Sequence, residues 1–297
     1  MKGQSVILNC QDDYRFEESL KLLGRSPIEV THHVKDGRVR KWLPLSRPLL
    51  VQVNPVEAGL QLTALSDVRN AEHLEEAARY VEMWLGLQVN IEGFYQLTEG
   101  DDLLRPLAQD YRGLRIVQIP ELFEALSWAI MGQQINLTFA YTLKKRFVER
   151  YGEGMAYQGE MYWQFPKPED VVNVSVEELQ ELQLTRRKAE YILGVAKLMI
   201  TGELEKAQLE SLSDDGLRQR LLAIRGIGPW TADYVSMRCF GRTSAFPIGD
   251  AGLHQAVRKH LNLDRKPTVK ELETLGARWQ GWQSYATYYL WRSLSTN

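Results

Sequence analysis

Alternating apolar and polar positions predict β-strands in the first third of the chain. The segment from residue 29 to residue 45 alternates, breaks at Asp36-Gly37 and then resumes. Asp-Gly between two such runs is a strong signal for a β-hairpin, because both residues tolerate a positive φ. Residues 49–53 and 60–64 are two further candidate strands. Together these segments predict an antiparallel sheet.

An apolar pattern typical of an α-helix follows these strands. Asn70 is placed to cap a helix that ends at Gly86, because the apolar residues between them recur every three or four positions. Residues 1–95 are therefore predicted to form an α+β domain, in which a helix accompanies the antiparallel sheet.

The apolar pattern is helical in the rest of the chain, which predicts a mainly α-helical domain over residues 96–297. Pro120 is expected at the first position of a helix that ends at Gly132, and a second helix is expected over residues 136–151. The boundary between the two predicted domains, after residue 95, is placed only by the change from a strand-like to a helical pattern of apolar residues. Capping boxes mark two more helix starts, at Ser175 with Glu178 and at Thr268 with Glu271.

Residues 217–241 contain the most informative pattern, two helices joined by Gly226-Ile227-Gly228. Pro229 suits the first position of the second helix. Such a turn exposes backbone amides and leads into a helix N-terminus, where free N–H groups and the helix dipole attract an anion such as a DNA phosphate. An ordinary helix corner with a glycine C-cap also explains Gly-x-Gly, and is the more frequent structure when the pattern stands alone.

Composition narrows the class of protein without identifying a partner. The 297 residues are 44% hydrophobic, which is enough for a sizeable core. No apolar run approaches the roughly 20 residues that cross a bilayer, so we expect no membrane partner and a cytoplasmic location. With 36 basic and 38 acidic residues, the net charge of −2 gives no general attraction to nucleic acid, so DNA contacts would be local. Two cysteines are too few for an iron–sulfur cluster.

A second motif lies after the hairpin, where residues 244–250 have the sequence SAFPIGD and lead into a helix. A glycine-rich hairpin followed about twenty residues later by Pro-x-Gly-Asp resembles the helix-hairpin-helix DNA glycosylase superfamily. Within it the chain is most similar to the DNA-3-methyladenine glycosylase II family, the AlkA type. Three segments carry that similarity: FEALSWAIMGQQ (123–134), RGIGPWTAD (225–233) and WQSYA (282–286). The resemblance implies an α+β fold, with an antiparallel-sheet-plus-helix domain before a mainly α-helical glycosylase core.

Asp250 is the residue that this resemblance makes catalytic. A carboxylate beside the sugar stabilises the positive charge that develops when a glycosidic bond breaks. An Asp N-cap is the simpler explanation for an isolated residue at a helix start. Relatives that also cut the strand carry a lysine two residues past the second hairpin glycine, where it forms a Schiff base. This chain has Trp230 there, which implies a monofunctional enzyme that leaves an abasic site.

By the same resemblance, Trp230, Tyr234 and Trp291 map onto an aromatic base pocket. Their rings can stack on a cationic base, with a cation–π attraction of roughly 0.5–2 kcal/mol. Core packing is the alternative explanation for each ring taken alone. Ala251 and Arg292 stand where one type within the family has tyrosines, so the pocket is expected to be roomier or more polar.

The resemblance also implies contacts with DNA. Gln134 is expected to be the wedge that fills the gap left by a flipped nucleotide, and a polar connection between helices is the alternative. Gly226, Gly228 and Thr231 are expected to hold the DNA backbone.

No redox cofactor is implied. The backbone carbonyls of Leu222, Ile224 and Ile227 match positions where the family hairpin can hold a sodium or potassium ion in a structural role. The expected partner is double-stranded DNA containing alkylated purines such as 3-methyladenine and 7-methylguanine, and the expected state is a monomer.

Two other functions stay open at this point. A non-catalytic helix-hairpin-helix module would bind DNA without using Asp250 chemically. A bifunctional glycosylase for oxidised bases would form a covalent adduct with DNA that borohydride traps.

Overall fold

The computed structural model describes residues 4–295. Its N-terminal part is a five-stranded antiparallel sheet with the strand order β1-β5-β4-β3-β2. The strands are β1 (Ser5–Leu8), β2 (His33–Lys35), β3 (Arg38–Leu43), β4 (Leu49–Val56) and β5 (Gly59–Ala64). The predicted hairpin is confirmed, because Lys35 pairs with Arg38 across a turn of Asp36 and Gly37, whose φ values are 51° and 71°.

Two helices accompany this sheet, α1 (Phe16–Leu23) and α2 (Ala71–Leu85). The predicted cap of α2 is confirmed, since the Asn70 side chain accepts a 3.0 Å hydrogen bond from the backbone N–H of His73. Gly86 ends α2 in the left-handed conformation, where a glycine avoids steric strain.

The regular secondary structure of residues 86–295 is helical apart from one short hairpin, which confirms the predicted α+β fold class. The helices before the hairpin are α3 (Glu92–Glu99), α4 (Leu104–Asp110), α5 (Leu122–Gly132) and α6 (Leu137–Tyr151), and the hairpin strands are β6 (Gly154–Tyr157) and β7 (Glu160–Trp163). After them come α7 (Pro168–Val171), α8 (Val176–Glu181), α9 (Arg186–Ile200), α10 (Lys206–Glu210), α11 (Asp214–Leu222), α12 (Pro229–Arg238), α13 (Ala251–His260), α14 (Val269–Arg278) and α15 (Gln283–Arg292).

Local sequence signals place most helix ends correctly. Both predicted capping boxes are present, at the N-termini of α8 and α14. The predicted start of α5 is wrong by two residues, because Glu121 is the N-cap and Pro120 lies outside the helix. Gly132 is the last residue of α5, whereas the sequence pattern predicted that the helix would end before it.

The buried apolar residues form two large cores that do not follow chain order. One core joins the sheet, α2 and α4 to α13, α14 and α15. The other contains α5, α6, α9, α11 and α12. Trp291 on α15 packs against both cores, so it marks the place where they meet. The boundary after residue 95 stays a prediction, and that position lies inside α3.

None of the helices within residues 4–295 is long and apolar enough to cross a membrane.

Candidate active site

The predicted helix-hairpin-helix consists of α11 and α12, joined by residues 223–228. An ion pair clasps the two helices together, with Nε of Arg218 donating to Oδ1 of Asp233 at 2.7 Å. Burial raises the pKa of Asp233, and Arg218 opposes that rise. A buried carboxylate needs such a partner, so the pair favours one arrangement of the hairpin.

The two hairpin glycines differ in their surroundings. Gly226 has a φ of 93°, and a Cβ there would lie 2.3 Å from the ring of Tyr191. Both the left-handed backbone and the close ring demand glycine. Gly228 is the N-cap of α12 with a φ of −91°. Apart from Gly228 itself and its two chain neighbours, no atom of the described residues lies within 4 Å of where its Cβ would be, so the space beside the N-terminus of α12 is open to an approaching ligand.

Gln133 ties the end of α5 to this hairpin. Its Nε2 donates to the carbonyl of Gly226 at 3.0 Å and to Oγ1 of Thr231 at 3.1 Å. Thr231 is only 1% exposed, so its hydroxyl serves this internal contact. The expected DNA contact of Thr231 stays a prediction, and its backbone N–H is the group that could make it.

Asp250 begins α13 as an N-cap, half-buried, with its Oδ1 accepting a 2.8 Å hydrogen bond from the backbone N–H of Leu253. Two indoles donate to the same carboxylate. Nε1 of Trp291 donates to Oδ1 at 2.7 Å, and Nε1 of Trp230 donates to Oδ2 at 3.1 Å. Hydrogen bonds to an ionised carboxylate are stronger than neutral ones, so three donors from three helices fix this side chain beside the hairpin.

Trp230, Tyr234 and Trp291, here called the aromatic cluster, lie side by side around Asp250. The ring centroids of Trp230 and Tyr234 are 5.4 Å apart, and those of Tyr234 and Trp291 are 6.2 Å apart. Both tryptophans are half-buried, whereas Tyr234 is 6% exposed. Rings that border a carboxylate and remain partly open can receive a planar cation.

The hydroxyl of Tyr234 is held at the far side of the aromatic cluster. It accepts hydrogen bonds from Nε1 of Trp128 at 2.9 Å and from Nη1 of Arg238 at 3.2 Å. Sequence reasoning assigned no role to these two residues. Trp128 lies within the family segment 123–134, and Arg238 follows Tyr234 by four positions, the spacing that places both on one helix face.

Arg292 does not enter the aromatic cluster, so it adds no charge to the pocket, and the expectation that the pocket is roomier or more polar stays a prediction. Its Nε donates to Glu18 of α1 at 2.5 Å, and its guanidinium lies 4.6 Å from the ring centroid of Tyr111. Both members of the ion pair are buried. Successive helical residues point about 100° apart, so Trp291 faces Asp250 while Arg292 joins α15 to α1.

Gln134 lies in the loop between α5 and α6, and its side chain is exposed. Its φ of 55° places it in the left-handed region, which is strained for a residue other than glycine. Strain of this kind is concentrated at functional sites. The wedge role of Gln134 stays a prediction.

The three carbonyls expected to bind a monovalent cation lie at the hairpin. Leu222 is the last residue of α11, and the carbonyl of Ile224 accepts a 3.0 Å hydrogen bond from the backbone N–H of Ile227. Neutral carbonyl oxygens are suitable ligands for sodium or potassium, and each retains a second lone pair. The donor set therefore fits, and the ion itself stays a prediction.

A family model described as HhH-GPD superfamily base excision DNA repair protein matches residues 127–281. That match covers more than half of the chain and includes α11, α12 and Asp250. The chain therefore belongs to the HhH-GPD superfamily, and DNA is its partner.

Individual relatives agree with this assignment. A DNA-3-methyladenine glycosylase of Bacillus subtilis is 38% identical over 293 residues, which cover 97% of both chains. The structure of a 3-methyladenine DNA glycosylase from Archaeoglobus fulgidus matches with a TM-score of 0.82 and 26% identity, again over 97% of both chains. A Schizosaccharomyces pombe 3-methyladenine DNA glycosylase in complex with abasic DNA matches with a TM-score of 0.58 and 25% identity, over 67% of this chain and 95% of that one. The family recognised from the sequence is confirmed, and the chain is an enzyme of the DNA glycosylase class.

Proposed function

We propose that the protein removes alkylated purines, including 3-methyladenine and 7-methylguanine, from double-stranded DNA by hydrolysing the N-glycosidic bond. The observation that carries this proposal is the Asp250 carboxylate, held by the indole N–H groups of Trp230 and Trp291 beside open aromatic rings. This arrangement places a negative charge and a π surface at one position.

The proposed chemistry needs one carboxylate. As the bond between C1′ and the base nitrogen breaks, its electron pair leaves with the base, and the sugar becomes an oxocarbenium ion. Asp250 stabilises that cation, and water then adds to C1′ and loses a proton. A purine alkylated at N3 or N7 already carries positive charge, so it departs neutral without a general acid. The same positive charge is attracted to the aromatic cluster.

The hairpin and the loop between α5 and α6 are the proposed contacts with DNA. Amides near Gly226, Gly228 and Thr231 bind a DNA phosphate at the N-terminus of α12. The carbonyls of Leu222, Ile224 and Ile227 would hold a sodium or potassium ion that supports this contact. Gln134 fills the space of the flipped nucleotide. We further propose that the enzyme acts as a monomer in the cytoplasm and leaves the strand intact, because Trp230 replaces the lysine of bifunctional relatives.

Asp250→Asn tests this function directly. Asparagine caps a helix as well as aspartate does, so α13 and DNA binding should persist while the negative charge is lost. We expect base release from methylated duplex DNA to fall at least about a hundredfold, the size of a lost electrostatic stabiliser. Affinity for a duplex with an abasic site should change less than about twofold.

Asp264→Asn is the matched control, because Asp264 is exposed and should tolerate the change at full activity. Equal base release by the Asp250 variant and the unaltered enzyme would contradict the catalytic role and favour a DNA-binding module. A covalent adduct trapped by borohydride would show that an amine acts and that the enzyme is bifunctional.

A further inference from the structure

A polar cavity of about 60 Å³ lies next to two residues that contact Tyr234. It is bounded by segments of the N-terminal sheet domain on one side and by α5, α6 and α12 on the other. Trp128 and Arg238 line it, and the same two residues donate to the Tyr234 hydroxyl. Trp128 and Arg238 are therefore shared between the wall of the cavity and the contacts of the aromatic cluster. The cavity has room for the edge of a base rather than a whole base.

Arg25 is one of several residues of the N-terminal domain that line this cavity. It is exposed to solvent, yet burial is the strongest influence on its pKa and acts to lower it. The phenol groups of Tyr141, Tyr234 and Tyr288 oppose that effect and raise the pKa above its ordinary value. A side chain that is accessible and still surrounded by protein lies in an open cleft, here next to Tyr141 and Trp128.

The Arg25 guanidinium is oriented but not saturated. Nε donates to the hydroxyl of Tyr141 at 2.7 Å, and the guanidinium lies 5.6 Å from the centroid of that ring. Tyr141 in turn packs on Trp128, with ring centroids 5.0 Å apart. Within residues 4–295 the Arg25 side chain makes no other hydrogen bond to protein, so both Nη groups are available to a ligand.

The side of the cavity that Arg25 and Arg238 line carries positive charge without a balancing carboxylate among the described residues. Lys144 is balanced by Glu29 and Glu124, at 3.1 Å and 3.0 Å. Arg238 donates to the backbone carbonyl of Val117 and to Tyr234, which are neutral partners. Among the residues that the structure describes, Arg25 likewise has only a neutral partner, Tyr141. Two arginines without a carboxylate partner therefore offer hydrogen-bond donors to an acceptor.

We propose that Arg25 reads the group at C6 of the flipped purine and favours an oxygen over an amino group. Arginine donates hydrogen bonds and accepts none, so it matches the O6 of a guanine derivative and opposes the amino group of an adenine derivative. Arginine bound to O6 is also the commonest specific protein contact to guanine in duplex DNA. Arg25 is then a specificity-determining residue, an assignment that rests on the proposed excision of alkylated purines.

The experiment compares the release of 7-methylguanine and 3-methyladenine from one methylated duplex DNA. Both bases leave from cationic nucleotides, so charge does not distinguish them, and the informative quantity is the change in their ratio that a substitution of Arg25 causes. For Arg25→Ala we expect the ratio of 7-methylguanine to 3-methyladenine to fall about tenfold, the effect of one hydrogen bond. Arg25→Lys should recover part of that loss. Affinity for abasic-site DNA, which has no base at the site, should be unchanged.

Arg79→Ala is the control, since Arg79 is an exposed arginine of the same domain on α2 that does not line this cavity. An equal fall in release of both bases, or an unchanged ratio, would overturn the inference and leave the proposed function standing. Release of 3-methyladenine alone by the unaltered enzyme would also overturn it. If the unaltered enzyme released neither base, the proposed function would fail, and the inference would fail with it.

Discussion

Trp291 donates a 2.7 Å hydrogen bond from its indole nitrogen to Oδ1 of Asp250, across 41 positions of sequence. Trp291 belongs to α15 and packs against both apolar cores. The position of the carboxylate therefore depends on how α15 seats between the two cores, as well as on the helix that Asp250 begins.

Trp291→Phe removes this donor and keeps an aromatic ring. We expect base release to slow about tenfold, because a hydrogen bond to a charged group contributes about 1.5 kcal/mol and a factor of ten corresponds to about 1.4 kcal/mol. Trp230→Phe should have a similar effect. Single-turnover release from methylated DNA measures both, with Trp163→Phe on β7 as a control that should keep the full rate. Full activity in both pocket variants would show that neither indole N–H holds Asp250 for catalysis.

Gly228→Ala tests whether the open space at the hairpin receives DNA. The negative φ and the empty surroundings of Gly228 allow alanine without strain, so thermal unfolding should be unchanged. A methyl group there would obstruct an approaching phosphate, and we expect affinity for an abasic-site duplex to fall about tenfold, or about 1.4 kcal/mol. Gly100→Ala, at another open position with negative φ, should leave affinity unchanged. Undiminished binding by Gly228→Ala would place the DNA elsewhere.

Gln134→Gly should make the protein more stable and less active. Glycine relieves the left-handed strain at φ 55°, which is about 1 kcal/mol for an ordinary residue, and it removes the proposed wedge. We expect a higher midpoint of urea unfolding and a base-release rate lower by about tenfold. Gln158→Gly is a matched control, because Gln158 is exposed with a φ of 50° in the β6-β7 turn. It should gain stability without losing activity, and an equal loss of activity in both variants would contradict the wedge role.

Features with local causes were predictable from the sequence. The Asp36-Gly37 turn and the Asn70 cap depend on residues within a few positions of each other, and both form as expected. β1 escaped prediction because its apolar residues run consecutively without the alternation that marks a half-buried strand. The β6-β7 hairpin escaped because its burial comes from a distant contact, in which Tyr162 packs with Trp42 and Leu50 of the sheet.

The site was predictable only where a family motif or a helix start marked it. Asp250 and the aromatic cluster meet as the resemblance implied, although it could not show that two indoles donate to the carboxylate. Two contacts depend on how the N-terminal domain packs on the helices: Arg292 with Glu18, and Arg25 with Tyr141. Contacts between residues more than a hundred positions apart leave no periodic signal in the sequence.

The lowered pKa of His32 makes the stability of the folded protein depend on pH. Burial lowers its pKa from 6.5 to about 4, and Lys41 and Lys144 act in the same direction while Glu29 opposes them. Below pH 6.5 the unfolded chain therefore binds a proton that the folded protein excludes, so the free energy of unfolding falls as pH falls toward 4. His260, whose pKa is also lowered by burial, adds a smaller contribution of the same sign.

We expect the unaltered protein to lose about 2 kcal/mol of stability through His32 between pH 7 and pH 5, since one pKa unit corresponds to 1.36 kcal/mol. Urea unfolding at pH 7, 6 and 5 measures this slope. His32→Gln lowers stability at pH 7, because the hydrogen bond to the Leu23 carbonyl is altered, but it should flatten the slope. His260→Gln should flatten it less. An identical slope in the His32 variant and the unaltered protein would mean that His32 takes up its proton equally well in the folded and unfolded chains.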